Sequence, residues 1–336
     1  MPRSHKRCSH ISHKTALKPG DGCGISRASP ILPPMENDIR GEAGGKCALV
    51  FGGSGQIGKR LLANLVAAGW QVTAVTRQAR EPMPGVVWQL GDLSSTNLAD
   101  HSLDAVFSCG PLDHFARWYA VSAIAAPRVV AFGSTSVDVK QDSSEPAERD
   151  VARRLREAER VLFDSAAARE VSATVLRPTL VYGAAGDKTL TKIAALASRT
   201  GFFVLPANAT GLRQPVHVQD LADAAMQVLV HPATAGKAYA LGGGEVLAYA
   251  EMVRRTLACL PARPRLLRVP ARLFKLALRL AHAGGRLQGM NAAALARMTE
   301  PLAFDLEPAR RDFGYAPRAF VAEAAMFSAP PGSAQA

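Results

Sequence analysis

Residues 47–76 restrict the fold more than any other part of the sequence. They contain a short apolar run at 47–51, a glycine-rich turn at 52–58, an apolar pattern of helical spacing at 59–68 and a second β-rich run at 72–76. A short apolar run of this kind predicts a strand buried in a parallel sheet. Strand, glycine turn, helix and strand within about 30 residues predict a βαβ unit that binds a dinucleotide.

The three spaced glycines of this turn have separate expected roles. Gly52 allows the tight turn, Gly55 lets the backbone approach a pyrophosphate, and Gly58 lets the helix pack on the strand. The N-terminus of the helix adds free N–H groups and a positive dipole. We therefore predict that the whole turn contacts the cofactor, namely Gly52, Gly53, Ser54, Gly55, Gln56, Ile57 and Gly58.

The end of the second strand predicts which dinucleotide is bound. An acidic residue at this position holds the ribose hydroxyls of NAD, whereas this chain has Arg77 and Arg80 there. Guanidinium groups are suited to the 2′-phosphate of NADP, with which they form charge-assisted hydrogen bonds. We predict NADP as the cofactor, with NAD as the alternative if both arginines are only solvated loop residues.

Further strand patterns alternate with helical patterns along the chain. The strands are predicted at 86–90, 104–108, 128–132 and 173–176, and the helices at 118–124 and 145–163. This alternation predicts an α/β fold with a Rossmann-type doubly wound parallel sheet, followed by a small C-terminal substrate-binding region. Ligands of such sheets bind at the carboxyl ends of the strands. The residues expected there are Asp92, Leu93, Cys109, Gly110, Ser134 and Thr135.

The glycine spacing GxxGxxG and several later segments resemble a known superfamily. The later segments are LRPTLVYG at 176–183, GLRQPVHVQDLA at 211–222 and a C-terminal signature at 305–318. Over about residues 46–320 the chain resembles the extended and atypical short-chain dehydrogenase/reductase superfamily, in particular its NAD-dependent epimerase/dehydratase-like members. The resemblance implies hydride transfer on a carbonyl or nucleotide-sugar-type substrate, with Arg213 as a substrate-binding residue.

One element that the resemblance leads us to expect is missing. Relatives that oxidise or reduce use a Tyr-x-x-x-Lys pair on the helix after the fifth strand, where the lysine lowers the pKa of the tyrosine. None of the five tyrosines of this chain has a lysine four residues later. Val151 and Leu155 stand at the corresponding positions, and neither side chain can exchange a proton.

Other residues must supply this chemistry if the protein is an enzyme. The resemblance places Thr135, with Ser134 beside it, where a hydroxyl group orients the substrate oxygen. Lys140 and Tyr182 are the candidate replacement proton donors, because both follow strands whose carboxyl ends border the same cleft. The alternatives are that Lys140 is a solvated loop residue and that Tyr182 only packs.

Structural roles are expected for several polar residues of these motifs. We expect His217 to satisfy a hydrogen bond in the core, Asp220 to be the N-cap of a helix that begins at Leu221, and Arg177 to pair within the fold. The pattern at 271–282 predicts an amphipathic, basic helix. It favours packing over the substrate cleft or against another subunit, with a membrane surface as the alternative.

The net charge of +12 raises the question of nucleic-acid binding. Residues 1–34 carry +5 of this charge, and aromatic residues make up only 6% of the chain. We therefore predict an anionic small molecule as the partner and no nucleic acid. No apolar run is long enough to predict a membrane span. The five cysteines are scattered without a CxxC motif, which predicts neither a disulfide framework nor a metal site.

Three regions are predicted along the chain: a disordered basic tail at 1–45, an NAD(P)-binding Rossmann core at 46–180 and a mixed substrate-binding region at 181–330, of which 213–241 returns to the Rossmann sheet. The favoured function is that of an NADP-binding, epimerase/dehydratase-like or reductase-like enzyme. The alternative is a non-catalytic dinucleotide-binding protein with a structural or assembly role. We expect a cytoplasmic location, and formation of a homodimer is left open.

Overall fold

Parallel strands with helices on both sides form the central part of the protein. The computed structural model describes residues 45–93, 102–187, 189–283, 295–296 and 298–327. The predicted basic tail therefore lies outside the described residues, except for Gly45. Gly45–Ala336 form one compact unit. The domain boundary predicted near residue 180 stays a prediction.

The strands are short, and most of those in the main sheet are buried along their length. Their bounds are β1 Cys47–Phe51, β2 Gln71–Thr76, β3 Val86–Leu90, β4 Ala105–Ser108, β5 Arg128–Phe132, β6 Ser172–Pro178, β7 Val181–Tyr182, β8 Phe202–Pro206, β9 Leu212–Arg213, β10 Val216–His217, β11 Lys237–Leu241, β12 Leu247–Ala248 and β13 Arg265–Val269. Within the described ranges, the main sheet has seven strands in the order β11-β6-β5-β4-β1-β2-β3. All of its neighbouring strands are parallel.

Helices connect these strands. Their bounds are α1 Gln56–Ala67, α2 Leu112–Val121, α3 Ser136–Val139, α4 Pro146–Ala167, α5 Leu190–Thr200, α6 Val218–Gln227, α7 Tyr249–Ala258, α8 Ala271–Ala283 and α9 Glu307–Phe313. Short 3-10 turns lie at Val228–Val230, Pro232–Thr234 and Ala324–Met326. None of the helices in the described part of the chain is long and apolar enough to cross a membrane.

The helices divide between the two faces of the main sheet. Leucines of α1 and α6 pack together with Phe313 of α9 in one buried cluster, and α2 packs with α4 in a second cluster around Phe115 and Leu162. A third cluster joins α5 and α7 beside the sheet. This arrangement confirms the predicted α/β fold with a doubly wound, Rossmann-type parallel sheet.

One predicted helix is misplaced. The sequence predicts a helix at 118–124, whereas α2 spans Leu112–Val121 and ends where Ser122 turns to an extended conformation. Pro111 precedes the first residue of the helix, and Phe115 and Tyr119 point into the core one turn apart. The apolar residues at 123–126 belong to the segment that leads into β5. Their apolar character is therefore not a sign of helix.

An ion pair ties α4 to the sheet. The guanidinium group of Arg177 on β6 donates from Nε to Oε1 of Glu159 at 2.8 Å, and a second bond joins Nη2 to the other carboxylate oxygen. Its Nη1 atom lies 3.4 Å from Asp138 of α3. Glu159 is buried. The expectation that Arg177 pairs within the fold is therefore confirmed.

We expect Glu159→Ala to lower the free energy of unfolding by about 3 kcal/mol, because it leaves the largely buried Arg177 with only the exposed Asp138 as a counter-ion. Glu157→Ala is the matched control on the same helix. It breaks an exposed pair with Arg160 and should leave the unfolding free energy unchanged. Urea denaturation of both variants measures the difference, and an equal effect of the two substitutions would contradict a stabilising role for the Arg177–Glu159 pair.

Candidate functional site

The candidate site begins where the connections of the main sheet change direction. β1 and β4 are neighbours, but β1 leads into α1 on one face and β4 leads into α2 on the other. The two connections diverge beyond the carboxyl ends of these strands, where this topology predicts a crevice. Crevices at such switch points are where parallel α/β sheets bind their ligands.

Glycines allow the two turns of this crevice to touch. Gly52 has a φ of +73°, and a Cβ atom on it would lie 2.9 Å from the carbonyl carbon of Cys109 and the nitrogen of Gly110. A Cβ atom on Gly58 would lie 2.2 Å from the oxygen of Gly52 and 2.7 Å from Cα of Gly53. Only glycine fits these two positions without displacement of backbone.

The N-terminus of α1 has features that fit the phosphates of a dinucleotide. Gly55 is the N-cap, so no side chain caps the first turn of the helix, and this turn contains no acidic residue. The Oε1 atom of Gln56 is buried and has no hydrogen-bond partner among the groups that the structure describes, but as an acceptor it does not itself favour a phosphate. Free N–H groups at a helix N-terminus favour an anion. The residues of this turn therefore fit the dinucleotide phosphates that the sequence predicts here.

The two arginines after β2 differ in how they are held. Arg77 and Arg80 are both exposed. Arg80 also donates from Nε to the hydroxyl oxygen of Thr76 at 3.4 Å. Thr76 is buried at the end of β2. Asp92 and Leu93 follow the neighbouring strand β3 and are partly buried. All four predicted contacts thus follow the carboxyl ends of β2 and β3, and their binding roles stay predictions.

Cys109 is placed for a backbone role rather than a chemical one. Its amide nitrogen donates to the oxygen of Phe51 at 2.9 Å, which continues the pairing of β4 with β1. Burial raises the pKa of its thiol to about 12. The thiol is therefore neutral at physiological pH and is a poor nucleophile. The predicted residues Cys109 and Gly110 do meet the glycine turn, through their backbone atoms.

The hydroxyl groups after β5 are not equally available. Thr135 is buried, and its Oγ1 atom donates to the carbonyl of Pro178 at 3.2 Å. Ser134 is partly exposed, and its Oγ atom accepts from the nitrogen of Ser136 at 3.1 Å. A hydroxyl that accepts in this way keeps its own proton for another acceptor. Ser134 is therefore the freer hydrogen-bond donor of the two.

The helix that would carry the missing tyrosine and lysine is intact. Val151 and Leu155 lie on α4, one turn apart, and Glu159 follows after another turn. Residues at this spacing share one face of a helix. Val151 and Leu155 are partly buried, and neither side chain carries a polar group. The sequence departure therefore changes the chemistry of this face without removing the helix that carries it.

The two candidate replacement donors already have contacts of their own. The ammonium group of Lys140 lies 3.6 Å from the carboxylate of Glu148 in the first turn of α4. Tyr182 is almost completely buried between His217 and Phe320, and burial raises the pKa of its hydroxyl. A raised pKa makes this tyrosine a weaker acid near neutral pH. Catalytic roles for Lys140 and Tyr182 stay predictions.

Arg213 is buried and faces protein groups. It lies on β9, donates from Nη1 to the oxygen of Glu300 at 3.1 Å, and stacks over the ring of Tyr249 at 5.0 Å. These contacts fix the β9–β12 pair to the segment that precedes α9. The role of Arg213 in substrate binding stays a prediction.

The start of α6 corrects one structural expectation. The helix begins at Val218, and its N-cap is His217, whose Nδ1 atom accepts from the nitrogen of Gln219 at 3.2 Å. Asp220 lies inside the first turn and accepts from Nε of Arg318 at 2.7 Å, so it is not the predicted N-cap. Burial lowers the pKa of His217, in agreement with an acceptor nitrogen. The expected core hydrogen bond of His217 is confirmed.

Gly186 lies against the glycine turn, a contact that the sequence motifs did not predict. A Cβ atom on Gly186 would lie 3.1 Å from Nε2 of Gln56, so the loop after β7 closes over the start of α1. Asp187 fixes this loop, because one of its carboxylate oxygens accepts from the nitrogens of Leu190 and Thr191 at the start of α5. The sequence signal was the pair of glycines at 183 and 186 immediately before an aspartate.

The fold defines a Rossmann-type protein, the class of α/β protein whose sheet binds dinucleotides. The model of the NAD dependent epimerase/dehydratase family matches residues 48–126 and 123–242, which together span more than half of the chain. The protein belongs to this family.

Similar proteins include a reductase and several epimerases. A 2-alkyl-3-oxoalkanoate reductase of Stenotrophomonas maltophilia (strain K279a) is 29% identical over 325 residues, which cover 82% of this chain and 96% of the relative. Among solved structures, MoeE5 in complex with UDP-glucose and NAD has a TM-score of 0.60 at 22% identity, covering 82% of this chain and 94% of that one. The epimerase Mth375 of Methanothermobacter thermautotrophicus has a TM-score of 0.59 at 16% identity, covering 84% and 90%. The two structures support the fold.

Alanine at two glycines should separate folding from cofactor binding. We expect Gly58→Ala to lower the melting temperature, because its Cβ atom meets backbone. The affinity for NADPH should also fall, by more than about tenfold. Gly110→Ala meets no protein atom within 4 Å. It should keep the melting temperature and still weaken NADPH if Gly110 faces the cofactor. Differential scanning fluorimetry and fluorescence titration measure the two effects. A fully stable Gly58→Ala protein would contradict the close packing of this turn.

Proposed function

We propose that the protein is an NADP-dependent oxidoreductase of this family that transfers hydride to or from a carbonyl or alcohol carbon. The observation that carries the proposal is the uncapped N-terminus of α1 behind a glycine turn, at the switch point between β1 and β4. A bound nicotinamide cofactor supplies or accepts the hydride. The chain itself must bind the phosphates, orient the substrate oxygen and provide a proton.

The substrate that we propose is an anionic small molecule with a reactive carbonyl group. The name of the Stenotrophomonas relative describes reduction of a 3-oxo acid, which combines a ketone with a carboxylate. MoeE5 was solved with UDP-glucose, which is a nucleotide sugar and is also anionic. A 3-oxo acid and a nucleotide sugar are therefore the two classes to compare. A cytoplasmic location and a homodimer stay predictions.

The hydroxyl groups after β5 are the proposed contacts of the substrate oxygen. The oxygen of Ser134 accepts from the nitrogen of Ser136, and its hydroxyl proton is left to donate to the substrate. The hydroxyl of Thr135 donates to the carbonyl oxygen of Pro178, and the lone pairs of its oxygen can still accept a hydrogen bond. We therefore assign the orientation of the substrate to this pair. Ser134 is the proposed hydrogen-bond donor, and the buried Thr135 holds the turn in place through its bond to Pro178.

A charge reversal tests the choice of NADP over NAD. We expect Arg77→Glu to weaken NADP by roughly 10- to 150-fold and NAD much less, because only NADP presents a 2′-phosphate to the guanidinium group. Arg310→Glu changes the charge by the same amount at an exposed position of α9 and is the control. Titration calorimetry with both cofactors gives the ratio. An equal loss for NADP and NAD would mean that Arg77 does not contact the phosphate.

Single substitutions test the proton donor. A positioned acid contributes about 10²–10⁴ in rate, so loss of the true donor should lower turnover by that factor while NADPH affinity is kept. The variants are Lys140→Met and Tyr182→Phe, with Ser134→Ala as the test of substrate orientation. Initial rates of NADPH oxidation and a separate binding titration distinguish these effects. Brisk turnover in both Lys140→Met and Tyr182→Phe would overturn both assignments.

A non-catalytic dinucleotide-binding role is the second candidate. It is favoured by the apolar residues Val151 and Leu155 on the face of α4 where relatives carry the proton donor, and by the contacts that already occupy Lys140 and Tyr182. The two candidates separate when NADPH is mixed with a panel of 3-oxo acids and nucleotide sugars. Tight NADPH binding without oxidation on any member of the panel would favour the structural role.

A further inference from the structure

One stretch of the sequence carries +10, whereas the net charge of the whole chain is +12. Between Glu251 and Glu300 there are ten arginine and lysine residues and no acidic residue. Arg254 and Arg255 are paired with Glu251 and Glu245. Among the residues that the structure describes, no carboxylate lies within 4 Å of Arg265, Arg268, Arg272, Lys275 or Arg279, and all five are exposed. These five charges form a surface that is not neutralised locally.

Helix α8 presents three different faces on this surface. Leu278 is buried and Phe274 partly buried, so these two residues form the inward face. At about 100° per residue, Leu273 and Leu276 fall on nearly the opposite side, and they are 59% and 54% exposed. The basic residues Arg272, Lys275 and Arg279 fall between these two faces. Helix α8 thus carries an outward leucine stripe with a row of cations along one edge.

The strand before this helix has the same character. β13 contains Leu267, which is 42% exposed, together with the exposed residues Arg265 and Arg268. Exposed leucines cost free energy in water. Such leucines beside unpaired cations are the pattern of a helix that lies in a membrane interface, with the leucines in the acyl boundary and the cations at anionic headgroups.

We propose that β13 and α8 form a docking surface for an anionic lipid bilayer. Phosphate groups of the lipid complement the basic row, and the hydrocarbon boundary accepts Leu273 and Leu276. Nucleic acid would satisfy the charges but would leave both leucines in water. A symmetric contact with a second copy pairs each face with itself, and an antiparallel contact of this kind would place the two cationic rows on the same side. The bilayer is the occupant that satisfies both features.

Vesicle flotation of the full chain tests this surface. Vesicles of phosphatidylcholine alone are compared with vesicles containing about one third phosphatidylglycerol. We expect binding only to the anionic vesicles, weaker in high salt. The combined variant Arg272→Gln, Lys275→Gln, Arg279→Gln and the combined variant Leu273→Ser, Leu276→Ser should each lower this binding by roughly tenfold or more.

Matched variants elsewhere on the surface are the controls. Arg117→Gln, Arg310→Gln, Arg311→Gln removes the same number of exposed charges, and Val121→Ser, Val230→Ser removes two exposed apolar side chains. Both should bind vesicles as the unchanged protein does. Circular dichroism confirms that each variant is folded.

Several outcomes would overturn the proposal. These are no binding to anionic vesicles at low salt, an equal loss in the α8 variants and their controls, or a leucine variant that binds as well as the unchanged protein. Sedimentation could instead show a dimer that the leucine substitutions dissociate, without vesicle binding, and the occupant would then be a second copy. Duplex DNA binding that is lost only in the charge variant, again without vesicle binding, would make the surface a nucleic-acid site.

Discussion

The contact between two backbone turns at the carboxyl ends of β1 and β4 is the constraint on which the candidate site depends. Gly52 lies against Cys109 and Gly110 so closely that a Cβ atom would be 2.9 Å from their backbone. Gly58 in turn lies against Gly52 and Gly53. These contacts set where α1 starts and how its free N–H groups face the crevice. The geometry of the proposed phosphate site is therefore a consequence of backbone packing, and side chains add to it only afterwards.

The parts that could be predicted from the sequence are those governed by local pattern. β1, β3 and β5 have their predicted bounds, because each is a short apolar run ended by a turn residue. The N-cap of α6 could not be predicted in this way. Asp220 is bonded to Arg318, 98 residues later, and His217 takes the cap instead. Arg213 likewise contacts Glu300, 87 residues away. Such partners are not visible in a local pattern.

Helix α4 shows that framework and chemistry are separable in this fold. Glu159 is buried and anchored to Arg177 of β6, so the helix is held at the sheet by an ion pair. Two turns earlier on the same face, Val151 is apolar. Val151 takes no part in the ion pair, so the side chain at this position can differ while the anchor of the helix is kept. If the proposed function holds, a proton donor on this face can be lost or exchanged without loss of the helix.

The distribution of charge explains why a net value is a poor guide to the partner. Residues 1–34 carry +5 and the segment between Glu251 and Glu300 carries +10, so the rest of the chain is slightly acidic overall. The total of +12 therefore does not describe the crevice, where the proposed anion-binding features are backbone N–H groups and Arg77. It describes the tail and the β13–α8 surface. What a basic surface binds is then decided by its apolar neighbours, and on α8 these are the exposed residues Leu273 and Leu276.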